Sequence, residues 1–465
     1  MDFLKQSTKT LSKNKSGPAA KIAIKKESNM FHYKILRIAG LHYREPIHAL
    51  LHENPAFSAE SYEEQKADIF KQHYIYTDSF SRGMRTLGHE AHEVLYDVEI
   101  LQKSWAKENG VTFSTLNWQA DILLAQICKL RPDILFFQDI HALPYSIRRN
   151  LKQIFPFVRC IIVHKGYPGN FNEMKEVDLL MVGSPRMVKQ YEESGYRPYL
   201  FYHYFDDAVL TSLGCESTEQ KQYDFTFLGS SGYGYGRGHA SRYWMLKELI
   251  QRVPIEVWLT EQPELDEHKK VILSKQTRIK LRIRLLLKHC LSLMDYATID
   301  NLIKQGHLPL KIRNIALDIL NEKIIPQDNT IPIPSERLLD LFPNRIHAPV
   351  FGLEMYRILQ KSRITLHRHS DAAIDAVGAL RLFQATGVGT CLLSDTGTNM
   401  KDLFEEDREI VTYSSTEECI EKMTYLLEHD DVRRESAKAG QRRTLRDHTA
   451  MNRCLQIDEI LQKML

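Results

Sequence analysis

The sequence has few cysteines and no long hydrophobic runs, and these absences exclude several classes of protein. Only seven cysteines occur among 465 residues, and none forms a C-x-x-C pair. The sequence therefore gives no sign of a disulfide framework or a zinc module. No apolar run approaches the roughly 20 residues that a membrane-spanning helix needs. We expect a soluble cytoplasmic protein with reduced thiols.

An excess of charge of one sign is also lacking. The chain has 62 Lys and Arg residues against 59 Asp and Glu residues, and its formal net charge is +3. Proteins that bind nucleic acid through phosphate groups usually carry a basic excess, so no nucleic-acid partner is predicted. Residues 1–30 are rich in Lys and Ser and lack the apolar core of a secretory signal. We interpret them as a disordered basic tail, with an arm that binds lipid or nucleic acid as the alternative.

The sequence does contain two series of short apolar segments that alternate with helix-like segments. Ile134–Phe137 is an example, because this apolar run ends at the polar Gln138. Such alternation is typical of a doubly wound parallel sheet. The pattern stops at a polar stretch, Thr211–Gln222, and restarts at Tyr223. The predicted fold class is α/β, with two Rossmann-like domains that face a cleft.

The domain boundaries are predicted from the same pattern. Residues 31–207 form the N-terminal domain, residues 208–445 form the C-terminal domain, and residues 446–465 form a last helix. The C-terminal domain contains a helical insertion at about residues 262–345, rich in Leu, Lys and Arg. Its segment Lys269–Leu291 has the apolar spacing of a helix. Such a basic helix either packs on its own domain or makes peripheral contact with an anionic membrane.

Two polar residues follow predicted strands of the N-terminal domain. Open parallel sheets bind ligands at the carboxyl ends of their strands, where active sites gather. His42 follows the first strand and Asp139 follows Ile134–Phe137. A histidine is suited to general base catalysis near neutral pH, so His42 is the first candidate for a base and Asp139 the second. A histidine in an ordinary surface loop is the alternative for His42.

The strand that opens the second series runs into the glycine-rich segment GSSGYGYGRGHA. Glycines such as Gly229 let the backbone approach a ligand, and Arg237, His239 and Arg242 place cations at the start of the next helix. The spacing is not the G-x-G-x-x-G fingerprint of dinucleotide-binding proteins. We therefore predict a phosphate-bearing ligand here, with a flexible loop carrying solvated arginines as the alternative.

A second anion site is predicted within Lys361–Tyr413. This stretch has the pattern strand, loop, helix, strand, and the helix begins after Gly378 and Ala379. The free N–H groups and positive dipole end of a helix start favour a phosphate or diphosphate. Arg381 adds a cation, although pairing with a local acid is the alternative for its side chain.

Several motifs resemble those of the spore-maturation-protein-like glycosyltransferases, a bacterial group within the GT-B superfamily. They are VFGLEMYRILQKSRITLH, GALRLFQATGVGTCLLSD, DLFEEDREIVTYSSTEECIEKMTYLL and AGQRRTLRDHT, with DFTFLGSS as a weaker match. The resemblance implies a GT-B fold that transfers a sugar from a nucleotide-diphosphate sugar, as in polysaccharide biosynthesis. The acceptor is a glycan, a lipid-linked glycan or a protein. It also implies that the C-terminal domain holds the donor, the N-terminal domain holds the acceptor, and the last helix crosses back.

The chain departs from the motifs of the retaining enzymes in this superfamily. The resemblance places a ribose-binding acid at Gln384 and a second glutamate at Val377, and neither position carries an acid. An amide still forms hydrogen bonds but has no charge. The stereochemistry therefore stays open between inversion and retention. A GT-B protein that binds without catalysis, or a nucleotide-sugar epimerase, is the alternative function.

No metal or other cofactor is predicted. His367 and His369 follow the predicted strand near Leu366 and are expected to touch the donor ribose or phosphate. Two histidines at this spacing, with no third ligand nearby in the sequence, are a poor zinc site. The resemblance also implies a diphosphate held without a bound divalent ion.

Overall fold

A computed structural model describes most of the two predicted domains. It describes residues 31–42, 45–74, 78–166, 174, 176–214, 221–234, 236–261 and 330–465, with isolated residues at 290–291, 293–294, 298–299 and 302. The predicted tail 1–30 lies outside the described residues. So does the predicted basic helix Lys269–Leu291, apart from its last two residues.

The strands form two separate sheets with six strands each. The first sheet contains β1 (Lys34–Ala39), β2 (Glu90–Leu95), β3 (Ile134–Phe137), β4 (Cys160–Lys165), β5 (Leu179–Val182) and β6 (Pro198–Leu200). The second contains β7 (Tyr223–Ser230), β8 (Ile255–Thr260), β9 (Ile346–His347), β10 (Ser362–His367), β11 (Cys391–Asp395) and β12 (Val411–Tyr413). Their orders are β2-β1-β3-β4-β5-β6 and β12-β11-β10-β7-β8-β9, and all neighbours are parallel. The predicted α/β class with two doubly wound parallel sheets is confirmed.

Helices connect the strands of both sheets. In the described part of the chain they are Glu45–Glu53, Tyr62–Lys71, Ser79–Thr86, Glu99–Glu108, Trp118–Leu130, Tyr145–Arg148, Leu151–Ile154, Pro185–Glu193, Ala208–Leu213, Ala240–Arg252, Leu338–Leu341, Gly352–Lys361, Leu380–Gly387, Met400–Leu403, Thr416–Glu428, Asp430–Asp447 and Ala450–Met464. Short 3₁₀ turns lie at Phe57–Ala59, Ile140–Ala142, Gly236–His239 and Asp371–Ala373. Among these described helices, none combines the length and the apolar character that crossing a membrane requires.

The central strands have unbroken apolar sequences because helices cover both faces of each sheet. All four residues of β3 are buried, and the same holds for β5. Helices on both faces of a parallel sheet leave no solvated side on which polar residues could alternate. Of the residues on the first sheet, Leu135 packs into the cluster on one face and Phe136 into the cluster on the other.

The last helix of the chain packs on the first sheet, although it follows the second sheet in sequence. Thr449 caps its start with a capping box, in which the Thr449 hydroxyl accepts from the backbone N–H of Asn452 and the backbone N–H of Thr449 donates to the Asn452 side chain. Its residues Cys454, Ile457 and Leu461 are fully buried in the same cluster as Phe80 and Met84 of the helix Ser79–Thr86. The chain therefore passes between the two halves twice, once before Tyr223 and once at Thr449.

The contact between these two helices depends on Gly83. A β-carbon at this position would lie 2.5 Å from Sγ of Cys454. We expect Gly83→Ala to lower the free energy of unfolding by about 1–3 kcal/mol through overpacking, despite the better helix propensity of alanine. Denaturant unfolding followed by circular dichroism measures this change.

The double variant Gly83→Ala/Cys454→Ala is the control, because it removes the sulfur atom that the new methyl group would meet. The double variant should be more stable than the sum of the two single changes predicts. A Gly83→Ala protein as stable as the wild type would contradict the close packing.

Candidate functional site

A cavity of about 450 Å³ lies between the two halves of the chain; we call it the interdomain cavity. Its floor is formed by the carboxyl ends of β7, β8 and β10, which carry Gly229, Thr260 and His367. The N-terminal half contributes Leu41, Pro46, His73 and Tyr74 to the opposite wall. The cavity therefore sits where open parallel sheets bind ligands.

Three arginines line this cavity, Arg242, Arg368 and Arg381, and its described lining contains no Asp or Glu. The side chain of Arg242 is only 9% exposed. Its Nε and Nη2 donate to the backbone oxygen of Arg368 at 3.1 and 2.8 Å, and its Nη1 donates to the hydroxyl of Ser230 at 2.9 Å. Each of these acceptors is neutral. The positive charge of Arg242 is thus held in place without a bonded carboxylate among the described residues.

The glycine-rich turn between β7 and the helix Ala240–Arg252 brings Arg242 to the cavity. Gly232 has a φ of +96°, and a β-carbon there would lie 2.3 Å from the backbone oxygen of His239. Only glycine tolerates this conformation and this close approach. The turn folds back on itself, so the first turn of the helix starts beside the end of β7.

The helix Leu380–Gly387 also starts beside the interdomain cavity. Its N-cap residue Ala379 is extended, with φ −62° and ψ 143°, and no side chain caps the helix start. The first N–H groups of such a helix have no acceptor within the helix. Arg381 and Gln384 lie one turn apart, and both line the cavity. The uncapped helix start and the arginines make this wall favourable for an anion.

Gln384 occupies the position where the resemblance places a ribose-binding acid. Its side chain is 4% exposed, and its amide donates to the hydroxyl of Tyr356 at 3.3 Å. Burial raises the pKa of Tyr356 above its usual range. The pair is therefore neutral at physiological pH, and it brings a polar but uncharged group to the cavity wall.

Two histidines of the cavity, His239 and His367, are neutral near pH 7. Burial lowers the pKa of His239 to about 3, and the charge of Arg242 acts in the same direction. Burial, His369, Arg242 and Arg381 hold the pKa of His367 well below its usual value, against the opposing charge of Asp395. His239 and His367 therefore add no imidazolium charge to the positive charge of the three arginines.

His369 lies beside Asp395, the last residue of β11. Nδ1 of His369 is 2.7 Å from Oδ1 of Asp395, and the backbone N–H of His369 donates to the same oxygen at 2.9 Å. Burial raises the pKa of Asp395, but the hydrogen bond and charge of His369 outweigh it and hold this pKa below the usual range. One ligand atom each from His367, His369 and Asp395 lie within 4.8 Å of one another. Asp395 therefore lies beside the two histidines in the fold, although it is distant from them in the sequence.

The predicted base candidates meet in the N-terminal half. Nδ1 of His42 lies 4.0 Å from Oδ2 of Asp139, and the side chain of His42 is 44% exposed. Asp139 also accepts hydrogen bonds from the hydroxyl of Tyr96 and the backbone N–H of His141. Burial opposes ionisation of Asp139, but the charges of His141 and His42 and these hydrogen bonds hold its pKa below the usual value. His42 lines a separate groove of about 1240 Å³, which we call the N-terminal groove.

The structure brings some of the predicted donor residues together and leaves others apart. Gly229, His239, His367, Arg381 and Gln384 line the interdomain cavity. Ala379 is the N-cap residue of the helix Leu380–Gly387, at the edge of this cavity. Gly378 packs against Gly183, and a β-carbon on Gly378 would lie 2.8 Å from the backbone oxygen of Gly183. Arg237 instead donates to the backbone oxygen of Ile331, and His369 lines a smaller cavity of about 230 Å³.

Asp395 was not assigned to the site from sequence, and Arg242 was named only as one of several cations at a helix start. Arg242 follows the glycine-rich segment, but nothing in the sequence distinguishes it from Arg237, since both are cations near the helix start. Asp395 lies 26 positions from His369, so no local spacing connects them. The signal for Asp395 was its place at the end of a predicted strand, because strand ends of one parallel sheet meet at one edge.

Comparisons with known proteins agree with this arrangement. Residues 328–461 match a family model described as glycosyl transferase-like. No curated protein matches the sequence significantly. Among solved structures, Anabaena HepE in complex with UDP-glucose is similar with a TM-score of 0.50 and 12% identity, over 93% of this chain and 100% of that chain. Sucrose-phosphate synthase from Thermosynechococcus elongatus is similar with a TM-score of 0.48 and 8% identity, over 93% and 99%.

At this identity the likeness to HepE concerns the fold alone, and it confirms the predicted two-domain GT-B fold. The family match concerns residues 328–461, which resemble glycosyl transferase-like proteins. The narrower resemblance to the spore-maturation-protein-like group stays a prediction.

Buried histidines predict how stability depends on pH. His164 and His448 are 3% and 5% exposed, and burial is the main cause that lowers their pKa values to about 3 and about 4. In the unfolded chain each would titrate near its ordinary pKa of about 6.5. Between pH 6.5 and 4 the unfolded state binds more protons, so the free energy of unfolding should fall as the pH is lowered.

Urea unfolding at a series of pH values measures this slope. His448→Gln removes one of the titrating groups, and its stability should fall less steeply between about pH 6.5 and 4, by up to about 1.4 kcal/mol per pH unit. The exposed His429→Gln is the control and should keep the wild-type slope. An unchanged slope in His448→Gln would contradict the assignment.

Proposed function

We propose that the protein transfers a sugar from a nucleoside-diphosphate sugar to an acceptor hydroxyl group. The observation that carries this proposal is the interdomain cavity, whose described lining has three arginines, an adjoining uncapped helix start and no acid. A diphosphate is the donor group that this charge distribution suits. The match of residues 328–461 to a glycosyl transferase-like family supports the same chemistry. The UDP-glucose in HepE makes UDP sugars the first donors to test.

In this proposal the cavity stabilises the leaving group of the reaction. Negative charge develops on the nucleoside diphosphate as the glycosidic bond breaks. Arg242, Arg381 and the first N–H groups of the helix Leu380–Gly387 then act as preorganised donors toward this charge. Gln384 contributes hydrogen bonds to a ribose hydroxyl without adding charge. The residues thus bind the donor and favour its departure.

The acceptor occupies the N-terminal groove in this proposal. His42 takes the proton of the acceptor hydroxyl, and Asp139 orients the imidazole and stabilises its charged form. A base is required if the reaction inverts the anomeric configuration. The groove is lined by apolar residues such as Leu51 and Trp118 as well as by charged residues such as Lys103. This mixture suits a glycan, a lipid-linked glycan or a protein acceptor. The segment Lys269–Leu291 is proposed to make peripheral membrane contact.

Replacement of Arg242 tests the donor site. Arg242→Gln keeps a polar side chain but removes the charge, so we expect roughly 10- to 100-fold weaker binding of UDP sugars, as expected for a lost bond to a charged group. Calorimetric titration with UDP-glucose and related donors measures the effect. Arg252→Gln is the matched control, because this exposed residue ends the same helix and pairs with Glu248.

Unchanged donor affinity in Arg242→Gln would contradict the placement of the diphosphate. Failure of the wild type to bind any nucleoside-diphosphate sugar would contradict the proposed function itself.

Replacement of His42 tests the base. His42→Ala should lower turnover by roughly 10²- to 10⁴-fold while donor affinity stays unchanged, because a general base acts on the acceptor and not on the donor. Steady-state kinetics and donor titration on the same protein separate the two effects. His52→Ala, an exposed histidine on the neighbouring helix, is the control.

Near-normal turnover of His42→Ala would remove it from the mechanism. The anomeric configuration of the product, observed by NMR, shows whether the reaction inverts and so requires a base.

Gln384 favours one second candidate, a protein that binds nucleotide sugars without transfer. The amide and its partner Tyr356 are neutral, so this wall lacks the charged ribose contact of the retaining enzymes. Donor binding without product on any acceptor would favour this candidate. Sugar release or rearrangement without an acceptor would instead favour hydrolysis or epimerisation.

A further inference from the structure

We propose that His367, His369 and Asp395 form a binding site for a divalent transition-metal ion such as Zn²⁺. One ligand atom from each residue lies within 4.8 Å of the other two, and all three residues are buried. The rings of the two histidines meet edge to face, with their centroids 4.4 Å apart. Two imidazoles and one carboxylate are a donor set that Zn²⁺, Fe²⁺ and Co²⁺ accept.

The hydrogen bonds of the cluster are incomplete without a ligand. Nε2 of His367 and Nε2 of His369 are both buried and have no hydrogen-bond partner among the described residues. The two side chains are 8% and 7% exposed, so solvent does not compensate. A buried polar atom without a partner costs about 1–3 kcal/mol, and such atoms are uncommon in native proteins. A metal ion bound through either nitrogen would give that nitrogen the partner it lacks.

Asp395 fixes the orientation of the neighbouring imidazole. Nδ1 of His369 lies 2.7 Å from Oδ1 of Asp395, so Nδ1–H donates to the carboxylate in the neutral ring and Nε2 presents a lone pair. A carboxylate bonded to the other ring nitrogen is the usual support of a metal-bound histidine. Asp395 thereby either orients His369 or adds an oxygen ligand, and both roles predict that its removal weakens the site.

The nearby arginines lower the affinity of the cluster for a metal ion, but they do not prevent the ion from binding. Nη1 of Arg368 is 3.6 Å from Oδ2 of Asp395, and its side chain is 29% exposed. Its Nη2 also donates to the hydroxyl of Ser241 at 3.3 Å, so its charge is shared between the carboxylate and a neutral acceptor. Arg242 is directed to the backbone oxygen of Arg368 and to Ser230. We therefore expect micromolar affinity, weaker than that of structural zinc sites whose thiolate ligands carry charge.

The cluster of His367, His369 and Asp395 lies between two cavities. His367 lines the interdomain cavity, and His369 and Asp395 line the cavity of about 230 Å³ behind it. Two imidazole ligands, or three ligands if Asp395 binds through an oxygen, leave a coordination position for water or another small ligand. The inference concerns metal binding alone, so it stands or falls independently of the nucleotide-sugar donor.

Metal binding to the full chain tests the inference without any nucleotide. Protein stripped with EDTA and dialysed is titrated with Zn²⁺ in a calorimeter, and Co²⁺ is added to record its visible absorption. We expect one equivalent of Zn²⁺ and a visible Co²⁺ spectrum of low coordination number. His369→Gln and Asp395→Asn should each weaken Zn²⁺ binding at least tenfold, whereas exposed His429→Gln should bind as the wild type does.

Circular dichroism spectra show which variants are folded, and His367→Gln replaces any variant that is not. Zinc should also raise the thermal unfolding temperature of the wild type but not that of Asp395→Asn. Equal zinc affinity in wild type and all three cluster variants would overturn the site. So would the absence of binding at about 100 µM Zn²⁺ together with stabilisation by inorganic pyrophosphate, because the two nitrogens would then serve an anion.

Discussion

Two backbone hydrogen bonds at Phe205 set the relation between the halves of the molecule. The N–H of Phe205 donates to the oxygen of His448 at 2.8 Å, and the oxygen of Phe205 accepts from the N–H of Ala450 at 3.0 Å. They join the segment that leaves the first sheet to the segment that returns to it. The ring of Phe205 lies so close to Gly387 that a β-carbon there would be 2.6 Å away. The crossing thus also fixes the end of the helix Leu380–Gly387, whose other end borders the interdomain cavity.

Hydrogen bonds to neutral groups of the surrounding loops position the buried arginine of the interdomain cavity. A buried guanidinium without hydrogen bonds would be strongly unfavourable, whereas Arg242 bonds the oxygen of Arg368 and the hydroxyl of Ser230. These neutral acceptors satisfy the donors without cancelling the charge. A carboxylate in the same place would have stabilised the arginine but removed the attraction for an anion. The geometry therefore keeps a positive charge fixed before a ligand arrives, which is the arrangement that stabilises developing negative charge.

Much of the fold was predictable because buried parallel strands leave a simple pattern. The apolar run Ile134–Phe137 predicted β3 at the residues that the structure assigns to it. The same rule about strand ends selected His42 and Asp139 as the two candidates for the base, and the structure places Nδ1 of His42 4.0 Å from Oδ2 of Asp139. The pairing of His369 with Asp395 was missed, because side-chain contacts between neighbouring strands depend on rotamers and register. The different roles of Arg237 and Arg242 likewise depend on how the turn at Gly232 folds.

The neutral character of Gln384 has a consequence for the whole cavity. An acid at this position would place a negative charge on the wall that carries Arg381, one turn earlier on the same helix. At a short distance in a partly buried site the two charges would attract, and the arginine would be drawn from the diphosphate to the acid. With an amide bonded to Tyr356, this competition is absent and the attraction for an anion is stronger. In the donor complex that we propose, Gln384 therefore contacts the ribose without charge, and the cavity keeps its attraction for a diphosphate.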